Sequence, residues 1–240
     1  MPANDSLILA AQQLADKIDS LTFAEPVTHV YNPLQYAWQA HQQYLEMAKP
    51  RTCKVLFLGM NPGPWGMAQT GVPFGQIEAV RDWIKIDAPI GKPEHEHPKR
   101  LVEGLACRRS EVSGERLWGL MRERFKTPKN FFKNHFVSNY CPLVFMEETG
   151  RNRTPDKLLP EERKQLAEIC DEHLVAVLTA LKPQWAVGVG AYAEKCLQRV
   201  GAELPVQITR ILHPSPASPA ANRGWADQAT QQLSESGIWT

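Results

Sequence analysis

Residues 160–190 read PEERKQLAEICDEHLVAVLTALKPQWAVGVG. Leu166, Ile169, Cys170, Leu174, Val177, Leu178 and Leu181 recur at helical spacing, which predicts a helix from Pro160 to Leu181 with one apolar stripe. Pro160 suits a first helical turn, where a missing N–H costs nothing, and Pro183 lies just past the end. The period then changes. Trp185–Val189 (WAVGV) is near-continuously apolar, as a strand covered on both faces is. Three more runs of this kind lie outward from it: Lys54–Gly59 (KVLFLG), Phe136–Tyr140 (FVSNY) and Val206–Leu212 (VQITRIL). A second helical pattern begins near Tyr192 and ends at Gly201. Strands alternating with helices predict a parallel sheet with right-handed crossovers, hence a three-layer α/β/α sandwich around four parallel strands. At the N-terminus Leu7, Ile8, Ala11, Leu14, Ala15 and Ile18 predict an amphipathic helix within residues 1–20.

The 240 residues suffice for one generous α/β domain, and no repeat, low-complexity tract or linker divides residues 1–240. Hydrophobic residues make up 43% and charged residues 22%, within the ordinary range for a globular chain. No apolar run approaches the ~20 residues of a membrane span, so no membrane association is expected. Early acids and the lack of a basic n-region argue against a signal peptide. Five cysteines (53, 107, 141, 170 and 196) are scattered with no CxxC, which fits reduced thiols and neither a zinc site nor an iron–sulfur cluster. These features suit a bacterial cytoplasm, or a nucleus if the source is eukaryotic, and a monomer is the default expectation. Net charge is +1, which excludes a histone-like binder. The charge is uneven, though: residues 99–133 hold ten basic against four acidic side chains. A local basic face of that kind allows salt-sensitive contact with a polyanion.

In open parallel sheets, ligands bind beyond the carboxyl ends of the strands. Strand one runs into Met60-Asn61-Pro62-Gly63-Pro64, strand two contains Asn139 near its end and is followed by Cys141-Pro142, strand three runs into Gly190, and strand four into His213-Pro214-Ser215-Pro216. Two asparagines and a histidine are therefore predicted to converge on one rim. The strand-one loop is no phosphate cradle, because Pro62 and Pro64 lack N–H donors and no Gly-Lys-Ser/Thr follows. No G-x-S-x-G elbow and no paired carboxylates of a sugar hydrolase occur. His95 and His97 lack a metal-binding spacing, and no metal is expected. Two alternatives stay open at this point. Gly188-x-Gly190-x-x-Ala193 matches a dinucleotide fingerprint, with Arg210 about 20 residues on to meet a phosphorylated ribose, although tight strand-to-helix packing also explains these glycines. The basic stretch alone would suit a non-catalytic nucleic-acid binding module.

The segments GMNPGPWGMAQTGVPFG (59–75), SNYCPL (138–143) and HPSPASPAANRGW (213–225) resemble the single-strand-selective monofunctional uracil-DNA glycosylase family. YNPLQYAW (31–38), VRDW (80–83), HPKR (97–100), SEVSG (110–114) and GRNRTP (150–155) fit it too, so the likeness spans residues 20–235. It implies the uracil-DNA glycosylase fold and base-excision repair chemistry: hydrolysis of the N-glycosidic bond of uracil, or a 5-modified uracil, in single- and double-stranded DNA. An abasic site is left, and no cofactor is needed.

The resemblance also assigns tasks. His213 would donate to uracil O2 as negative charge builds there. Asn61 would orient the attacking water, because an amide has no useful basicity. Asn139 would read O4 and N3–H, and Phe74 would stack on the extruded base. Met60 and Gly63 would line the pocket near C5, with the bare glycine leaving room for 5-substituents. Pro214, Ser215, Pro216, Ala217 and Ser218 would wedge into DNA, with Arg223 at a phosphate. Close family members often carry a basic residue and an asparagine where Ala217 and Ser218 stand. A second DNA element would be Thr149, Gly150, Arg151, Asn152, Arg153 and Thr154, with Thr154-Pro155 starting a helix whose free N–H groups suit a phosphate. No lysine takes a rim position, so no Schiff-base step is expected.

Overall fold

The structure, a computed structural model, describes residues 3–49 and 52–240. The chain forms α1 (Ala3–Asp19), β1 (His29–Tyr31), α2 (Pro33–Tyr36), α3 (Trp38–Glu46), β2 (Val55–Gly59) and α4 (Met67–Thr70). It continues through α5 (Val112–Phe125), α6 (Pro128–Phe132), β3 (His135–Asn139), β4 (Val144–Met146), β5 (Asn152–Arg153) and α7 (Pro160–Leu181). Last come β6 (Trp185–Val189), α8 (Ala191–Gly201), β7 (Gln207–Ile211) and α9 (Trp225–Glu235). The predicted N-terminal helix is α1; Met1 and Pro2 lie outside the described residues. No helix among the described residues is long and apolar enough to cross a membrane.

The four apolar runs form one sheet in the order β3–β2–β6–β7, and every pairing is parallel. β2 is buried at all five positions because a strand lies on each side and helices cover both faces. From β2 the chain crosses to β3 through α5 and α6, and it returns past β2 to β6 through α7. Right-handed crossovers in opposite directions place these helices on opposite faces. α8 joins β6 to β7 in the same direction as α7, so it shares that face and packs against α7. α1 closes this layer against α7, and α9 packs beside α5 and β7 on the other. The sheet order reverses between β2 and β6. That switch point opens a crevice at the carboxyl ends of the strands.

A second sheet, β1–β4–β5, is antiparallel and was not foreseen. Its strands have three, three and two residues, too few to show a period of two. It anchors the basic stretch. The buried Tyr31 donates its hydroxyl to the Arg100 carbonyl at 2.9 Å and accepts from the His97 N–H at 2.6 Å. Residues 97–100 are thereby fixed to β1.

Candidate active site

Four loops leave the same edge of the parallel sheet. The first carries Asn61, two residues past β2. Its Nδ2 donates to the Leu143 carbonyl at 3.1 Å and more weakly to the Pro62 carbonyl at 3.3 Å. Pro62 and Pro64 stiffen the loop, and both amide hydrogens face the protein. No donor among the described residues reaches Oδ1, which is left as a free acceptor.

Asn139 closes β3 and pairs in register with Gly59 at the end of β2. It is buried, and its Nδ2 meets only the soft Met67 sulfur at 3.5 Å. A Cβ on Gly59 would lie 2.4 Å from Asn139 Oδ1 and 2.5 Å from Phe74 Cε2. The bare glycine therefore lets the amide and the aromatic ring meet over the end of β2. Phe74 itself holds a left-handed backbone, φ 54°, although it is not glycine, and it is 7% exposed. Such conformations cost of order 1–3 kcal/mol and persist where surrounding structure imposes them, which is often at functional sites. The Phe74 ring centroid lies 6.3 Å from that of His213.

His213 follows β7 by two residues and is half-buried. Burial lowers its pKa below the ordinary histidine value, so the ring is neutral at neutral pH. No hydrogen-bond partner for either ring nitrogen occurs among the described residues. Gly190, at φ 95°, faces it: a Cβ there would come within 3.0 Å of the His213 Cβ. The two glycines of the dinucleotide-like motif thus have different reasons. Gly188 lets α8 approach, since its Cβ would be 2.5 Å from the Glu194 nitrogen; Gly190 seats the histidine. Arg210 is bonded to Glu194 at 2.9 Å, which occupies the group that the cofactor reading needed for a phosphorylated ribose.

The segment Pro214–Ser218 is tightly tied. Arg116 from α5 donates Nη1 to the carbonyls of Pro214 (3.1 Å) and Ser215 (3.4 Å), and Nη2 to Asn222 Oδ1 at 2.8 Å. Asn222 in turn donates to the Pro216 carbonyl at 2.9 Å. Pro216 and Ala217 stand exposed at the tip, followed by Ser218 and a short 3-10 turn, Ala221–Arg223, in which Arg223 is exposed.

The second expected DNA element needs correction. Arg153 is turned inward, with Nη1 on Glu147 at 2.8 Å and Nε and Nη2 on the Lys157 carbonyl at 2.9 and 2.7 Å. It secures the loop, and three of its five N–H donors are spent on the protein. Thr154-Pro155 begins only a 3-10 turn, Pro155–Lys157, and the Thr154 hydroxyl donates to Asp156. A single 3-10 turn has little dipole, so the helix N-terminus expected here for a phosphate is not formed. Thr149 and Arg151 are exposed, Gly150 is buried at φ 81°, and the half-buried Asn152 has a buried Oδ1 without a partner.

Sequence reading did not single out Trp65, Glu111 or Arg116. The Trp65 ring carries two guanidiniums, Arg100 and Arg109, each 5.3 Å from its centroid. Lys99 and Arg108 are exposed beside them in the chain, and Arg151 is exposed next to Gly150, where a Cβ would lie 3.3 Å from Arg100 Cζ. Among the described residues no salt bridge ties any of these five cations to a carboxylate. In the sequence, the local excess of positive charge and the expected DNA contact at Arg151 point to this surface.

The family model of the uracil DNA glycosylase superfamily matches residues 46–234. The chain is 47% identical over 228 residues to the single-strand selective monofunctional uracil DNA glycosylase of Bos taurus, covering 94% of this chain and 84% of that protein. It is equally similar to the Mus musculus protein of the same description, covering 94% and 82%. Among solved structures, wild-type Pedobacter heparinus SMUG2 superposes with a TM-score of 0.64 at 19% identity, over 95% of this chain and 98% of that one. A likeness at that identity speaks to the fold. The sequence relatives speak to the family, and the chain belongs to the single-strand-selective monofunctional uracil-DNA glycosylases of the uracil-DNA glycosylase superfamily.

Proposed function

We propose that this chain is a monofunctional DNA glycosylase that hydrolyses the bond between deoxyribose and uracil, or a 5-modified uracil, and leaves an abasic site. One observation carries the reading: the Phe74 ring adjoins Asn139 across Gly59 and also His213, while the Asn61 oxygen on the neighbouring loop lacks a donor. An aromatic face, an amide with both polarities, a neutral imidazole and a free acceptor are what this reaction requires.

The glycosidic bond breaks toward an oxocarbenium-like sugar, with negative charge moving onto the base. A neutral His213 donates one N–H to uracil O2 and stabilises that charge, an effect typically worth on the order of 10²–10³ in rate. Burial supports the role, because it keeps the ring neutral and strengthens the hydrogen bond it gives. Asn139 offers Nδ2 to O4 and Oδ1 to N3–H. Cytosine presents the opposite pattern and would leave buried groups unpaired. Asn61 need only orient water toward a cation already formed. The target base must leave the stack, and the braced Pro214–Ser218 tip is the wedge that fills its place. Arg100, Arg109 and Arg151 take backbone phosphates on the Asn61 side of the pocket, and Arg223 on the wedge side.

The decisive assay uses a uracil-containing oligonucleotide, single- and double-stranded, with chelator and no cofactor. Strand cleavage at uracil only after alkali supports the reading. Intact strands from both substrates would overturn it, and cleavage before alkali would overturn the monofunctional part.

A further inference from the structure

We propose that Glu111 is a positioning residue for this reaction: its carboxylate holds the loop that carries Asn61 and so fixes where the attacking water stands. The inference rests on the glycosylase reading above and deepens it. Glu111 immediately precedes α5, at the N-cap position, yet its side chain makes no capping bond to its own helix. It reaches across to the strand-one loop. There Oε1 lies against Gly63, 3.4 Å from where a Cβ would stand, and the Gly63 N–H, the one backbone donor left between Pro62 and Pro64, favours its anion. Its other oxygen fills the space where a Gly66 side chain would stand: a Cβ on Gly66 would overlap Oε2. That oxygen is buried and has no hydrogen-bond partner. The carboxyl is thus locked between the two glycines that flank Trp65, two residues from Asn61.

Leaving a buried carboxyl oxygen unpaired is costly, and the chemistry above uses no acid there. Burial pushes the Glu111 pKa up to about 7, against the opposing effect of the Gly63 hydrogen bond. Nearby charges do not account for this. The loop from Met60 to Gly66 contains no titratable side chain. On the segment of Glu111 itself, Arg109 lies on Trp65, Glu115 accepts from the Ser110 hydroxyl at 3.3 Å, and Arg108 is exposed. Near neutrality the group therefore exchanges between an anion that grips the Gly63 N–H and an acid that grips it less. The hydrogen bond to the anion is roughly twice as strong.

The test is Glu111→Gln, which keeps the volume and an acceptor oxygen but removes the charge. In single-turnover uracil release, the unaltered chain is expected to speed up as pH rises through about 7. The variant is expected to be flat across that range and on the order of tenfold slower at pH 8. Its affinity for an oligonucleotide bearing an abasic site should not change. Equal rates and equal pH profiles in the two proteins would overturn the proposal. A second readout needs neither catalysis nor a folded variant: in the unaltered chain, the Gly63 amide resonance should titrate with the same midpoint, and a resonance that stays still between pH 6 and 8 would overturn it too. Failure of the unaltered chain to release uracil would sink the glycosylase reading and the rate effect, while the Gly63 resonance would still decide whether Glu111 grips the loop.

Discussion

Gly59→Ala adds one methyl group at the point where Asn139 and Phe74, the proposed base-reading amide and stacking ring, meet. Its Cβ would stand 2.4 Å from Asn139 Oδ1, and 2.5 and 2.7 Å from two Phe74 ring carbons. Ordinary contacts are ~3.5 Å, so one or both groups must retreat by about 1 Å. Neither has room. Asn139 is buried on β3 with Met67 behind it, and Phe74 is held in a left-handed backbone against His213. Displacements of about 1 Å in a reacting geometry cost on the order of 10²-fold in rate. Overpacking costs roughly 1–3 kcal/mol of stability, which leaves a folded protein if the chain has ordinary stability. The assay is single-turnover uracil release read after alkali, alongside a denaturant titration. Gly119→Ala is the control: nothing lies within 4 Å of its Cβ, on helix α5, so activity should hold and stability should rise by up to about 1 kcal/mol. A Gly59→Ala protein that folds and releases uracil within about threefold of the unaltered rate would show that the base does not sit over the end of β2.

Asn61→Ala should lose most single-turnover activity, whereas Asn61→Asp should retain activity or acquire a new pH dependence; near-normal rates for the alanine variant would remove the water-orienting role. Asn139→Asp should weaken uracil excision, and untouched excision would count against base reading. Arg109→Ala should weaken binding to uncleavable single-stranded DNA of any sequence and reduce the salt slope by about 0.7, as expected for one lost phosphate; an unchanged slope would place the backbone elsewhere. Acid should unfold the protein early. His41 and His135 are buried, and burial lowers both to about 4, so each is neutral in the folded chain at neutral pH. A depressed folded-state pKa gives stability that is present above the unfolded value of about 6.5 and is lost as pH falls toward 4. The loss at pH 5 is on the order of 2 kcal/mol per histidine, and urea midpoints that do not move between pH 7 and 5 would contradict it.

The central sheet was legible because β2, β3 and β6 are buried at nearly every position, and continuous apolarity survives without any partner in view; the half-exposed edge strand β7 showed through its β-branched residues. The strand ends were therefore placed within a residue, and with them the rim carrying Asn61, Asn139, Gly190 and His213. What stayed hidden depends on contacts between distant segments. Nothing local distinguishes Arg153, turned in toward Glu147, from Arg151, which points out. Gly190 looks like half of a helix-packing motif until His213, 23 residues later, is seen against it. Glu111 is one of 26 acids, and only folding brings it under Gly63 and Gly66. The β1–β4–β5 strands are too short to carry a period at all.

The proposed reaction has no strong base and acts through one neutral imidazole and one neutral amide, so it has to rely on groups that are already in place when charge develops. Here those groups sit on loops from different strands, and loops are the least rigid part of a fold. The start of α5 answers this. Within six residues, Glu111 reaches the loop of Asn61 and Arg116 binds the carbonyls that follow His213. Between them Gly114 lies against the backbone of Phe74, where a Cβ would overlap the Phe74 carbonyl oxygen. One rigid turn of helix thus touches the segments that carry Asn61, Phe74 and His213 together, and any drift of one relative to another must break a contact to that turn. Weak chemical groups can then suffice, because little reorganisation remains at the moment of bond cleavage.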